Sequence, residues 1–316
     1  MMDKLSCQIP DLYRGWRLDA ALADIYPDYS RSALTQWIKD SRVVLDGQHP
    51  KPRSKLVGGE WLELEPVATE QVDCEPQPVP LDIAYEDEHL LVINKAAGQV
   101  MHPAAGNHDG TIQNGLLHHE PSLVAIPRAG IVHRLDKDTT GLFVVAKTLA
   151  AHTSLVAQLQ EHTVSREYRA VVQGKLVAGG TVDEPIGRHP RDRKRMAVVR
   201  DGKDSVTHYR VLEKFNAHTY LVLQLETGRT HQIRVHMAHL YHALVGDSVY
   251  AGRLKIPSGV SDALADELRR FPRQALHAIR LRLTHPGSGE EVEWSVPLAD
   301  DIERLLVQLR ANETQR

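Results

Sequence analysis

The chain has 316 residues, 42% hydrophobic, with a net charge of -3; this suits about two domains at roughly 150 residues each and a large core. No global basic excess advertises nucleic acid, so any such partner must be met by local basic patches. Cys7 and Cys74 are too few for a disulfide framework, and the absence of a signal-peptide core or a ~20-residue apolar run leads us to expect a cytoplasmic chain without a membrane partner.

Trp16, Leu18, Ala21, Leu22 and Ile25 recur at helical spacing, predicting a helix over 15–25 that Pro27 ends. Ser30 is a good N-cap for a second helix over 31–40, with Leu34, Trp37 and Ile38 inward. Val43–Leu45 reads as a strand, Asp46-Gly47 as a tight turn, and Trp61–Leu64 as an alternating strand. Two short helices followed by short strands over 13–66 resemble the alpha-L RNA-binding motif, the ribosomal-protein-S-four type. The resemblance implies an RNA face built from the second helix and the loop after it. Arg31, Lys39, Arg42, Lys51, Arg53 and Lys55 are its candidates.

Residues 67–80, rich in Pro, Glu and Gln, read as a linker. The catalytic domain is expected over 81–299, with a helix and tail over 300–316. Ile83–Tyr85 and Leu90–Ile93 flank a polar turn, a predicted hairpin, and Lys95 follows it directly. A helix is expected over 111–118 and another over 152–163. Further strands are expected at 165–173, 208–211, 220–225, 276–283 and 291–296. Between them, Gly187 to Met196 is a Gly/Pro-bounded loop carrying Arg188, Arg191, Arg193, Lys194 and Arg195. Such a run fits an RNA backbone better than a solvated face. The irregular alternation of strands and helices indicates an α+β fold with a mixed, largely antiparallel sheet.

Ile131-Val132 and Leu142–Ala146 are β-branched runs expected as buried strands. Between them lie His133-Arg134-Leu135-Asp136-Lys137-Asp138, of which five can carry charge, and Thr139-Thr140-Gly141, expected to turn the chain. Charge pinned between buried strands is costly unless it is used. From these residues alone, a solvated hairpin loop is an equal reading.

His-Arg-Leu-Asp followed by Thr-Thr-Gly resembles the signature loop of the RluA-type pseudouridine synthases. Asn94-Lys95, Ser165-Arg166-Glu167-Tyr168 and the run from Thr227 to His236 resemble the family's other motifs, in the family's order, over nearly the whole chain. The flanking text is most similar to the RluD-like branch, which acts on large-subunit ribosomal RNA. The resemblance implies the pseudouridine-synthase fold, no cofactor, and 23S ribosomal RNA or a large-subunit precursor as partner, with uridines of the helix 69 loop as target. A monomer is expected. Ala96 departs from the family, which usually has Pro after this Lys; a looser turn is expected there.

The reaction breaks the uridine N1–C1′ bond and rejoins the base through C5, which requires a carboxylate and no cofactor. The resemblance makes Asp136 that group, with Arg234 as its counter-charge. An Asp has an ordinary pKa near ~3.9; burial would raise it and a guanidinium restore the anion. Flipping the uridine out of its stack costs a few kcal/mol, and stacking on one ring returns roughly 1–3. Tyr168 matches the family's stacking Tyr, whose hydroxyl is implicated in proton transfer, and Arg134 matches the Arg that fills the vacated space. Ile233 is expected to wall the pocket, and His133 to join the substrate-binding set. Lys95 and Arg229 should hold phosphates or brace the loop. Two rivals remain: a metal hydrolase using His231, His236, His239 and His242, for which no HExxH or Cys/His cluster exists, and a non-catalytic assembly factor of the same fold. The full set of Asp136, Tyr168 and Arg234 argues against the second.

Overall fold

Every residue of Leu90–Ile93 is apolar and every one is buried, because the strand they form is covered on both faces. The computed structural model describes residues 4–26, 31–66, 74–104, 106–192 and 195–314, and of residues 31–33 the backbone alone. Its two compact units divide between Asp73 and Cys74.

The first unit holds β1 (Leu5–Gln8), α1 (Leu18–Ile25), α2 (Arg31–Lys39), β2 (Val43–Leu45) and β3 (Trp61–Leu64). The strands form an antiparallel sheet in the order β1-β3-β2. Leu18, Leu22, Leu34, Ile38, Leu62 and Leu64 pack into its core. Pro27 and the expected N-cap Ser30 lie outside the described residues.

The second unit begins with a chain segment read as linker but bound in place. Asn114 Nδ2 donates to the Glu75 carbonyl at 2.8 Å, and Gln99 Nε2 to the Pro80 carbonyl at 2.8 Å. There follow β4 (Ile83–Glu86), β5 (Leu90–Lys95), α3 (Ile112–His119), β6 (Thr140–Ala146), α4 (Leu149–Gln160) and β7 (Ser165–Gln173). Next come β8 (Gly180–Asp183), β9 (Ile186–Arg188), β10 (Met196–Val198), β11 (Val206–Lys214), β12 (His218–Leu225) and α5 (Gln232–His239). The unit closes with α6 (Asp262–Arg270), β13 (Leu276–Thr284), β14 (Glu291–Ser295) and α7 (Asp300–Thr314).

Nine strands form one sheet in the order β4-β5-β6-β13-β7-β12-β11-β8, with β14 beside the second half of β13. Only β6 and β13 run parallel within it, so the sheet is mixed and mostly antiparallel, an α+β arrangement. Leu91, Ile93, Phe143 and Val145 join the cluster containing α3 and α5, while Leu90, Val92, Leu142 and Val144 join the one containing α4. The sheet's middle is therefore sandwiched. Among the described residues no helix is long and apolar enough to cross a membrane.

Several expectations are corrected. Ile131-Val132 forms no strand: Ile131 makes a single bridge to Val145, and the chain just before it bends through Arg128 and Ala129, both left-handed at φ 55° and 50°. Thr139-Thr140-Gly141 does not turn the chain, which already turns at Thr139 N–H to Asp136 carbonyl, 3.0 Å. Gly141, at φ +106°, lies inside β6, where a Cβ would collide with the Ala278 carbonyl. The helix expected over 152–163 starts earlier, at Leu149, since Thr148 Oγ1 caps it by accepting from Ala151 N–H at 3.1 Å. The loop expected from Gly187 to Met196 is the connection of a β9–β10 hairpin, whose strands take in only its ends, with Met196 opposite Arg188. The helix expected at the start of 300–316 is present as α7, which buries Ile302, Leu305, Leu306 and Leu309 against α6, as their one-sided spacing dictates.

Candidate active site

Asp136 lies half-buried in the middle of the signature loop, which Lys95 braces. That side chain is 1% exposed. Its Nζ donates to the carbonyls of Ala96 (2.9 Å), Lys137 (2.7 Å) and Thr139 (2.9 Å). All three ammonium protons are thereby used, so Lys95 braces the loop and cannot hold a phosphate, the other role expected of it. Burial pushes its pKa down to about 7, with Asp138 and Asp136 opposing. On the far side, Arg273 Nη1 donates to the Asp138 carbonyl at 3.0 Å, and Gln274 Nε2 to Thr139 Oγ1 at 3.0 Å.

Arg234 reaches Asp136 from α5. Its Nε and Nη2 form a fork on Asp247, at 2.7 and 3.0 Å, which leaves Nη1 for Asp136 Oδ2 at 3.0 Å. Burial opposes its charge, but the bonds and charges of Asp247 and Asp136 outweigh that and keep Arg234 protonated. Asp247 is 1% exposed, and its Oδ1 also accepts from the Val249 and Tyr250 N–H groups. Arg234 Cζ lies 5.1 Å from the Tyr250 ring centroid.

The helix that carries Arg234 is entered through His231, in the left-handed region at φ 58°. Its Nδ1 is 2.8 Å from the Tyr250 hydroxyl, which also accepts from Met196 N–H at 3.0 Å. Its Nε2 faces Asp136 Oδ1 at 3.8 Å. Thus one carboxylate oxygen is fixed by Arg234, and the other faces the His231 ring.

The cleft holds about 520 Å³ and is lined by Asp136, Arg134, Tyr168, Ile233, Arg229 and His133, among others. Tyr168 is 5% exposed, and its hydroxyl bonds to no described residue; burial chiefly raises its pKa. Ile233 is buried in the wall and Arg134 is exposed at the mouth. Arg229 Nε donates to the Asp204 carbonyl at 3.1 Å. His133 turns inward: Nε2 accepts from Val144 N–H at 3.0 Å, and burial pushes its pKa down to about 3, so the ring is a neutral brace. His236 is bound at both nitrogens, to Thr207 Oγ1 and the Glu184 carbonyl. No group of three His, Cys, Asp or Glu among the described residues could hold a metal.

Outside the cleft, Lys39, Arg42, Lys51, Arg53 and Lys55 are exposed on the first unit, and the side chain of Arg31 lies outside the described residues. Arg188 and Arg191 are exposed on the hairpin, and Arg193 and Lys194 lie outside the described residues. Arg195 is drawn back, its Cζ 5.2 Å from the Tyr250 centroid. The sequence reading missed Asp247, Tyr250 and Arg166 as site residues. Nothing in local spacing marks Asp247; a buried fork partner was implied only by the rule that a buried guanidinium needs one.

Residues 89–239 match the family of RNA pseudouridylate synthases. The chain is 55% identical over 307 residues to the ribosomal large subunit pseudouridine synthase D of Xanthomonas campestris, covering 97% of this chain and 93% of that protein. It is 54% identical over 310 residues to the protein of that name from Escherichia coli strain K12, covering 98% and 95%. Among solved structures, human RNA Pseudouridylate Synthase Domain Containing 1 is 26% identical with a TM-score of 0.54, covering 78% of this chain and 98% of that one. Its human counterpart, Domain Containing 4, is 25% identical with a TM-score of 0.55, covering 72% and 92%.

Proposed function

The chain belongs to the RluA-type RNA pseudouridylate synthase family, and from that premise we propose that it isomerises uridines of large-subunit ribosomal RNA, in the helix 69 loop of 23S RNA. The observation that carries the chemistry is Asp136, with one oxygen fixed by Arg234 and the other open to a cleft that also exposes the Tyr168 hydroxyl.

The target uridine leaves its stack and lies against the Tyr168 ring, with Ile233 as wall and Arg134 filling the gap left in the RNA. Asp136 acts on the ribose-linked base as nucleophile or ion-pair stabiliser while the N1–C1′ bond breaks. The uracil turns, C5 bonds to C1′, and the proton on C5 must leave. N1, freed from the ribose, gains a proton in exchange, and the neutral Tyr168 hydroxyl can relay the C5 proton only by passing its own on as it accepts that one. No atom is gained or lost and no cofactor is called for. The first unit, read as an alpha-L domain, presents Lys39, Arg42, Lys51 and Arg53 to RNA; Arg31 belongs to the same proposed face. In this reading the protein works as a monomer in the cytoplasm, where ribosomes are assembled.

The test is pseudouridine mapping by carbodiimide modification of 23S RNA from a deletion strain, complemented with wild type or Asp136→Asn. Wild type should restore pseudouridine in the helix 69 loop, and the nearly isosteric variant should restore none. Restoration by Asp136→Asn sinks the assignment of the carboxylate; restoration only elsewhere in the RNA sinks the target.

A further inference from the structure

The buried guanidiniums of this unit follow a pattern that one of them breaks. Arg234 forks on Asp247, and Arg273 forks on Asp301 at 2.6 and 2.7 Å. Arg166 is 7% exposed, yet no described carboxylate lies within ion-pairing distance, and its buried Nε makes no hydrogen bond. It stands two residues before Tyr168 on β7, so both side chains leave the same face of the strand, and both line the cleft. Gly228, which also lines the cleft, makes room for it: a Cβ there would lie 2.7 Å from Arg166 Nη1.

We propose that Arg166 is a binding residue for RNA, anchoring a backbone phosphodiester adjacent to the uridine held against Tyr168. This inference rests on the reading of the cleft as a uridine site. A guanidinium removed from water without a counter-charge is costly, and that cost is removed when an anion arrives. The uracil oxygens carry no net charge and cannot neutralise it. A flipped uridine brings its own phosphodiesters with it, and two non-bridging oxygens match the planar fork of an Arg. The mechanism proposed above leaves Arg166 unused, and its position beside the stacking ring makes it a register pin for the nucleotide.

The test uses a ribosomal RNA stem-loop carrying a single neutral methylphosphonate, moved one phosphate at a time past the target uridine. Both binding and turnover are read for wild type, Arg166→Gln and Arg166→Lys. For wild type, one position next to the uridine should weaken binding about ten- to a hundredfold, as loss of a charged hydrogen bond does. Arg166→Gln should weaken binding of unmodified RNA to a similar degree and be indifferent to that one position. Arg166→Lys keeps a charge and should recover part of the loss. Should Arg166→Gln fail to fold, the comparison passes to Arg166→Lys, whose penalty at that position should be smaller than that of wild type. Losses that simply multiply at every position overturn the proposal. An RNA bound but never converted by wild type would refute the substrate reading and leave the phosphate comparison standing on its own.

Discussion

Arg234 serves two carboxylates at once, and that sharing decides what its removal would do. Asp247 is fully buried and receives two of the guanidinium's bonds. Arg234→Ala therefore strands a buried charge, and breaking such a pair costs ~3–5 kcal/mol. The expected result is a lower urea midpoint together with lost turnover; an unchanged midpoint would mean that Asp247 finds other donors. Lys95 offers a contrast readable by pH. Its folded pKa of about 7 lies below the unfolded value of 10.5. Between these values the unfolded chain keeps a proton that the folded chain has shed. Lys95 therefore opposes folding most below pH 7, and its contribution to stability improves as pH rises through this window. Turnover should move the other way, because a neutral amine has two N–H groups for three loop carbonyls. Urea midpoints and turnover measured across about pH 6 to pH 10 check both signs. Stability falling through the window, with other titrations accounted for by Lys95→Met, would overturn the assignment.

At the scale of elements, legibility followed how local the cause was. The strands β5 and β6 were readable because burial on both faces leaves continuous apolar runs, which survive as text. Asp136, Tyr168 and Arg234 were readable as motif members, though nothing local says that a helix delivers Arg234. The helix α5 hides because Gln232 to Met237 are all buried, which erases the one-sided stripe that marks a surface helix. Gly141 misled, since a glycine demanded by the close approach of β13 looks the same as one demanded by a turn. The β9–β10 hairpin was unreadable for a third reason: strands of three residues carry too little pattern. Its structure also changes which charges should count. Arg195 sits over the Tyr250 ring, so the proposed phosphate set becomes Arg191, Arg193 and Lys194. Each phosphate contact contributes roughly 0.7–0.9 to the slope of log K against log salt. Changing those three to Ala should flatten the slope by about two units, with turnover at saturating RNA near wild type. An unchanged slope across a salt series assigns the run to solvent.

For the whole molecule, the question is how a chain with a net charge of -3 holds a polyanion. Net charge governs long-range attraction, whereas phosphate contacts are made by local clusters. The two units divide the task in our reading: the second binds the reacting nucleotide, and the first supplies Lys39, Arg42, Lys51 and Arg53, all exposed. Each unit has hydrophobic clusters of its own, Ile9 to Leu64 in the first and three in the second. Removing residues 1–73 should therefore leave the second unit folded, provided Cys74 to Pro80 stay, because Glu75 and Pro80 hydrogen-bond to it. The truncated chain should convert saturating stem-loop RNA at close to the full-length rate, since no cleft residue is lost. Its binding should be weaker and less salt-dependent, by about three units of slope if four cations touch phosphate. Discrimination should suffer most. A second contact region multiplies affinity only for RNAs whose shape reaches both units, so losing it penalises the ribosomal fragment and spares unrelated hairpins. Competition between the two RNAs, measured for full-length and truncated protein at one salt concentration, decides the matter. A discrimination ratio unchanged by the deletion would show that the first unit contributes nothing to the choice of RNA and that selection lies wholly within the cleft.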